Sequence, residues 1–138
     1  ECVARCISMA GLGKNDIIQV AYGYGLFTEG LGAHYGGGEN GGYGCSHVHR
    51  NTKKLINMMI DFGVTGIMCT PSYLLHIAET IEEMGVRDQI KLKASVKRRG
   101  AVDGEDAAQD RGEAGHRAHD IYGLSEIMTG RCHRLPVP

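Results

Sequence analysis

Residues 52–85 read TKKLINMMIDFGVTGIMCTPSYLLHIAETIEEMG. Asn51 or Thr52 can cap a helix over 52–62. Leu55, Met58, Met59 and Phe62 recur in it at helical spacing and predict its buried stripe, and Gly63 ends it. Residues 65–70, TGIMCT, form an apolar run without alternation, as a strand buried on both faces requires. Thr70-Pro71-Ser72 then turns into a second helix. Its inner face is Leu74, Ile77, Ala78 and Ile81; its outer face is Glu79, Glu82 and Glu83; Gly85 is its stop. Helix, strand and helix in this order predict an α/β domain, with helices alternating around a mainly parallel sheet.

The flanks extend that pattern. Val3, Cys6, Ile7 and Ala10 mark one face of a first helix, with Gly11 and Gly13 as its stop. Residues 17–22, IIQVAY, are strand formers entered through the turn-prone pair Asn15-Asp16. Residues 90–94 and 119–122 are the other expected strands. The glycine-spaced aromatics from Tyr22 to Thr28 read as a loop or helix entry where backbone approaches something closely. Residues 36–50 hold six glycines and no apolar periodicity. Residues 95–117 carry five basic and five acidic residues, with Val96 and Val102 as their only large apolar side chains. Neither segment offers burial to offset its ordering entropy, so both are expected to be irregular and of low order.

The chain has 138 residues and a formal net charge of −1, from fifteen Lys or Arg and sixteen Asp or Glu. That length holds one domain. The balanced charge argues against a nucleic-acid partner or a polybasic membrane anchor, and no apolar run is long enough to span a bilayer. The chain opens on Glu1 without a signal-peptide pattern, and an internal fragment is expected. Five cysteines, at 2, 6, 45, 69 and 132, include no C-x-x-C pair. Reduced thiols and a cytoplasmic location follow.

Several residues have two readings. Tyr22, Tyr24 and Phe27 suit the wall of an aryl-acid pocket or ordinary core packing. Gly30, Gly32 and Gly36 suit a pocket or a close helix contact. Cys45, His47 and His49 form a C-x-H-x-H cluster that a strand would aim to one face, as a metal site could use; His116, His119, Cys132 and His133 could add ligands. The spacing matches no standard zinc signature. His34 and His76 read as partly buried rings with one backbone partner. Cys69 reads as a small core residue in an apolar strand, not a nucleophile. Gly11-Leu12-Gly13-Lys14 lacks the spacing of a phosphate-cradling loop.

The strings AYGYGLFT, GLGAHYGG, NTKKLI, CTPSY, IAETIEEMG and DIYGLSEIM occur in that order. In them the sequence resembles the phenylacetate–coenzyme A ligases, within the adenylate-forming acid–CoA ligase superfamily. The resemblance implies part of a large N-terminal nucleotide-binding domain, starting after the phosphate loop and lacking the small C-terminal domain. It also implies a two-step reaction. An aryl acid and ATP give an acyl-adenylate and diphosphate, and the thiol of coenzyme A then attacks. By the same resemblance Tyr122 packs near adenine, Gly123 admits close backbone approach and Asp120 helps orient the nucleotide. Ser125 bonds the α-phosphate and Glu126 ligates Mg²⁺. The chemistry suits the residues, since Mg²⁺ takes one or two carboxylates plus phosphate oxygens. The implied partners are the aryl acid, ATP and coenzyme A, with a homodimer left open.

Three places depart from the family pattern. Glu29 stands where glycine is usual, residues 38–50 lack a strand-like segment, and residues 95–117 lack the G-A-E-P-W string of the adenine site. Suitable codons for 39–50, read one base over, give E-K-T-A-A-T-V-V-P-M-S-I. Codons for 100–116, shifted likewise, restore A-E-P-W. The tail after Met128 can yield A-G-V-T-D-C. These segments therefore read as frameshifted, which the coding DNA decides. The expectation is a ligase fragment inactive by itself. The alternatives are a small metal-binding module built on Cys45, His47 and His49, or a remnant without function.

Overall fold

Gly63 (φ 62°) and Gly85 (φ 61°) sit in left-handed backbone just after two helices, at the stops the sequence marks. The structure is a computed structural model and describes residues 1–22, 28–39, 43–46, 51–98, 117–124 and 127–134. In chain order the elements are α1 (Cys2–Met9), β1 (Ile17–Val20), α2 (Thr28–Glu39), β2 (Tyr43–Ser46) and α3 (Thr52–Asp61). Then come β3 (Gly66–Cys69), α4 (Pro71–Met84), a 3₁₀ turn (Arg87–Gln89), β4 (Ala94–Arg98), β5 (Arg117–Leu124) and β6 (Ile127–Arg134). The strands form one sheet in the order β2-β1-β3-β4-β5-β6. The first five are parallel, and β6 returns antiparallel to β5. The fold is α/β with a mainly parallel sheet, as the sequence predicts.

Strand alternation divides the core. Ile18, Val20, Met68 and Val96 point toward α1 and α2, where they meet Val3, Ile7 and Ala33. Ala21, Ile67 and Cys69 point the other way and meet Leu55, Ile56 and Met59 of α3 and Leu74, Ile77 and Ile81 of α4. This period-2 switch of faces is the strand geometry itself.

Helix ends follow local chemistry. Asn51, not Thr52, caps α3: its side-chain oxygen accepts from the Lys54 amide at 3.0 Å. Pro71 opens α4, where its missing N–H costs nothing. The buried stripe of α3 is Leu55, Ile56 and Met59. Met58 is half-buried, and Phe62 is 54% exposed because it lies past the helix end. On α4, Thr80 is buried and Ala78 only partly so. Thr80 tolerates this by donating its hydroxyl to the His76 carbonyl one turn back, at 2.7 Å.

Four expectations change. Residues 36–39 belong to α2 and 43–46 to β2, so this glycine-rich stretch is not wholly irregular. Within 95–117, Ser95, Val96 and Lys97 are buried in β4. The strand expected at 90–94 instead spans Ala94–Arg98, because the Lys93 and Ala94 amides both donate to the Thr65 carbonyl and fix the register there. Strand β6 has no counterpart in the sequence reading.

Glycine has a specific task in the α1–α2 contact. A Cβ built on Gly36 would lie 2.6 Å from Val3 Cγ1, and one on Gly32 3.9 Å from Val3 Cγ2. Of the two readings for these glycines, close helix packing is what the structure displays.

At the amino edge of the sheet, Asp16 ties the entry to β1. Its carboxylate accepts from the Gly13 amide at 2.9 Å and from Lys93 Nζ at 2.8 Å.

Candidate active site

Open α/β sheets bind ligands outside the carboxyl ends of their strands, at the point where successive connections leave in opposite directions. Here that point lies between β1 and β3. From β1 the chain leaves through α2, on the α1 side, to reach β2; from β3 it leaves through α4, on the opposite face, to reach β4. The crevice mouth therefore lies beside Tyr22 and Thr70.

Tyr22 is 6% exposed, and its hydroxyl donates to the Cys69 carbonyl at 3.0 Å. The bond ties together the carboxyl ends of β1 and β3. Beside it, Ala21 donates its amide to the Met68 carbonyl at 2.8 Å. Tyr22 is thus a core ring at the carboxyl end of β1. Tyr24 and Phe27 lie outside the described residues.

Cys69, Lys97, Asp120 and His133 occupy one register row across β3, β4, β5 and β6. Burial pushes the Cys69 thiol up to about 12, with the positive charge of Lys97 pulling it down. A thiol so protonated is a core residue and not a nucleophile. Asp120 is partly buried, and its Oδ1 is enclosed without a hydrogen-bond partner. A buried acceptor left open at the carboxyl edge suits a ligand donor. Deeper in the sheet, Gln19 Oε1 and Nε2 and Ser95 Oγ are likewise buried without partners.

Tyr122 and Gly123 lie in β5, before its last residue, Leu124. Strands β5 and β6 pair antiparallel, with Leu124 opposite Ile127. The backbone so places residues 122–124 at the carboxyl end of the parallel sheet. Ser125 and Glu126, between the two strands, lie outside the described residues.

Cys45 lies in β2, in register with Gln19, while His47, His49 and His116 fall outside the described residues. Among the described residues no three His, Cys, Asp or Glu side chains converge as a metal site. His119 is buried at 3% exposure. His34 is partly buried. His76 is not: its side chain is 59% exposed, 4.0 Å from Glu79 on the outer face of α4. Among the described residues no helix is long and apolar enough to cross a membrane.

Sequence reasoning missed the Tyr22–Cys69 tie. Only the parallel neighbourhood of β1 and β3 brings those residues together.

Comparison with solved structures defines the fold. The fold is that of the N-terminal domain of adenylate-forming acyl-CoA ligases. 2-Hydroxyisobutyryl-CoA ligase, solved with its acyl-AMP and CoA in the thioesterification state, superposes with a TM-score of 0.80 at 20% identity, over 91% of this chain and 28% of that one. CmiS6 superposes with a TM-score of 0.78 at 19% identity, over 98% of this chain. In sequence the chain is a relative of the phenylacetate–coenzyme A ligases. It is 44% identical over 131 residues to that of Pseudomonas putida and 43% over 132 residues to that of Aromatoleum evansii. Each match covers 91% of this chain, which spans 29% of the length of either relative. No family model matches the chain.

Proposed function

We propose that the chain is the central part of the nucleotide-binding domain of a phenylacetate–coenzyme A ligase. The reaction joins phenylacetate to coenzyme A at the expense of ATP, through an acyl-adenylate, and releases AMP and diphosphate. The observation that carries the reading is the 44% identity over 91% of the chain, on an α/β fold with a mainly parallel sheet. The solved 2-hydroxyisobutyryl-CoA ligase, complexed with its acyl-AMP and CoA, supports ATP and coenzyme A as the cosubstrates. Among the described residues Cys2, Cys6 and Cys69 are thiols outside any disulfide, which suits a reducing cytoplasm.

In this reading Tyr22, Tyr24 and Phe27 line the aryl pocket. A ring there fits an apolar wall, and Tyr22 is held from moving by its bond to Cys69. Asp120 offers its open carboxylate oxygen to a nucleotide N–H or O–H. Tyr122 packs against adenine, and Gly123 lets the backbone come close. Ser125 donates to the α-phosphate, where charge grows as the adenylate forms. Glu126 would hold Mg²⁺, whose charge offsets that of the phosphates.

The 138 residues alone form no thioester, because ATP and coenzyme A need groups from the remaining length of such enzymes to be oriented. The test is calorimetric titration of the chain with a non-hydrolysable phenylacetyl-adenylate analogue and Mg²⁺. Saturable binding that Glu126→Ala weakens by about tenfold is expected, the loss of one charge-assisted contact. Absent binding, or binding indifferent to Glu126→Ala, refutes the assignment; turnover of phenylacetate, ATP and coenzyme A refutes the expected inactivity.

A further inference from the structure

Helix α1 carries two thiols on one flank. Cys2 and Cys6 stand one turn apart; Cys6 is 1% exposed and Cys2 half-buried. That flank faces away from α2. The α2 helix approaches α1 at Val3 and Ala4, where a Cβ built on Gly36 meets Val3 Cγ1 at 2.6 Å and the Ala4 amide nitrogen at 3.3 Å. A helix turns about 100° per residue, so the residues two before and two after Ala4 lie nearly opposite to it. Besides α2, the element that packs most on α1 is β6. The burial of Cys6 on the flank opposite α2 therefore belongs to that contact.

Backbone register brings a third cysteine to the same place. Cys132 stands opposite Ile121 in the β5–β6 pair, and Ile121 packs on the cluster that holds Val3 and Ile7 of α1. Directly opposed residues of an antiparallel pair share a face, so the register places Cys132 on the α1 face of the sheet. The level along the strands agrees. Ile121 pairs with Arg98, one step beyond the row of Cys69, and so lies at the carboxyl edge. Helix α1 starts at that edge, since Leu12, just after its end, lies against Gly66 at the amino end of β3. Cys2, in its first turn, is therefore the α1 thiol level with Cys132. The remaining cysteines are elsewhere: Cys69 faces α3 and α4, and Cys45 is on β2, at the far edge of the sheet.

We infer that Cys2 and Cys132 form an oxidation-driven cross-link between α1 and β6, closed by a hydroperoxide and opened by a dithiol. The Cys2 thiolate attacks a peroxide oxygen and the O–O bond breaks. Cys2 becomes a sulfenic acid, and the departing hydroxide takes up a proton to become water. The Cys132 thiolate then attacks that sulfur, forms the S–S bond and displaces the hydroxyl as a second water. Two thiols and one H₂O₂ thus give one disulfide and two waters. Half-buried Cys2 is open to so small an oxidant, and a reducing compartment keeps the link open at rest. Thiol chemistry is favoured over a metal: among the described residues, Cys2, Cys6 and His119 included, no three ligand side chains converge. The bond joins residue 2 to residue 132 and so constrains nearly the whole unfolded chain. The inference stands apart from the ligase reading.

The test treats the reduced full chain with an equivalent of H₂O₂, blocks the remaining thiols and maps non-reduced peptides by mass spectrometry. A linked Cys2–Cys132 peptide pair should appear in the folded monomer, together with a higher urea midpoint, and dithiothreitol should reverse both. Cys132→Ser should remove the pair and leave Cys2 as a sulfenic acid that dimedone traps. Cys2→Ser, the second variant, should leave Cys132 reduced, and Cys6→Ser should retain the link. The same oxidation in concentrated urea should scatter the pairings among the five cysteines. A Cys6–Cys132 pair in place of the expected one overturns the inference, as do links formed only between two copies. So does an equal yield of the Cys2–Cys132 pair in urea, which would make it a property of the unfolded chain. Cys2 passing to the sulfinic acid while Cys132 stays reduced overturns it as well.

Discussion

Asp16 shows how one side chain can hold a corner of the sheet. Burial opposes its charge, but the Lys93 ammonium, the Gly13 amide and the Thr65 hydroxyl outweigh that cost and hold its carboxyl below the ordinary carboxylate value. A group whose folded pKa is depressed adds stability that is present above the unfolded pKa and lost as pH falls through the folded one. The loss therefore begins near the unfolded value of about 3.9 and grows below it. Asp16→Asn should cost about 1–2 kcal/mol at neutral pH, near the low end for charged hydrogen bonds. Lys93 is 59% exposed, so water screens the pair. Urea melts from pH 7 to pH 2 should show the gap between wild type and variant closing in acid. A gap independent of pH would remove the electrostatic account. At the same scale, Cys69 was legible from its apolar neighbours, whereas the role of Asp16 was not. Asn15-Asp16 reads only as a turn until β4 brings Lys93 alongside.

At the scale of elements, periodicity decided what could be read. Helices α3 and α4 and strand β3 announce themselves because burial and sequence period agree. Helix α2 does not, since its large apolar residues face outward and its inward groups are glycines, which leave no hydrophobic pattern. Strand β2, YGCS, is equally silent; backbone pairing with β1 makes it a strand. Strand β6, IMTGRCHR, is too polar to be read as one. The candidate site residues come from the family strings and not from periodicity, which can put Tyr22 just past a strand end but gives it no chemistry. Glycines within α2 should respond oppositely to one substitution. Gly36→Ala places a Cβ against Val3 and should destabilise by about 1–3 kcal/mol, the usual overpacking range. Gly38→Ala meets nothing within 4 Å and should stabilise by up to about 1 kcal/mol, the helix-propensity difference. Equal effects in chemical denaturation would show that the close α1–α2 approach carries no energetic weight.

For the whole molecule, the six-stranded order takes in the described parts of both segments that depart from the family pattern. Strand β2 fills one edge, and β4 pairs on both sides, with Gly66 through Cys69 of β3 and with Arg117 through Ile121 of β5. The sheet tolerates sequence there because its ladder bonds use backbone groups. What the sheet cannot supply in those places is family-specific side chains, and so fold and chemistry part company. The central position of β1 has a further consequence, in time. Its two neighbours are reached only across intervening helices, as when Ile18 pairs with Gly66, and no two of the first five strands are joined by a hairpin. Loop-closure entropy must be met before any of those pairings contributes. Refolding from urea should therefore take about milliseconds to seconds, slower than a helical bundle of equal size; stopped-flow fluorescence finishing in microseconds would contradict this. Until β1 is flanked, its amides and carbonyls are open to any extended segment nearby, including one from another molecule. Recovery of native protein should consequently decline as refolding is attempted at higher concentration.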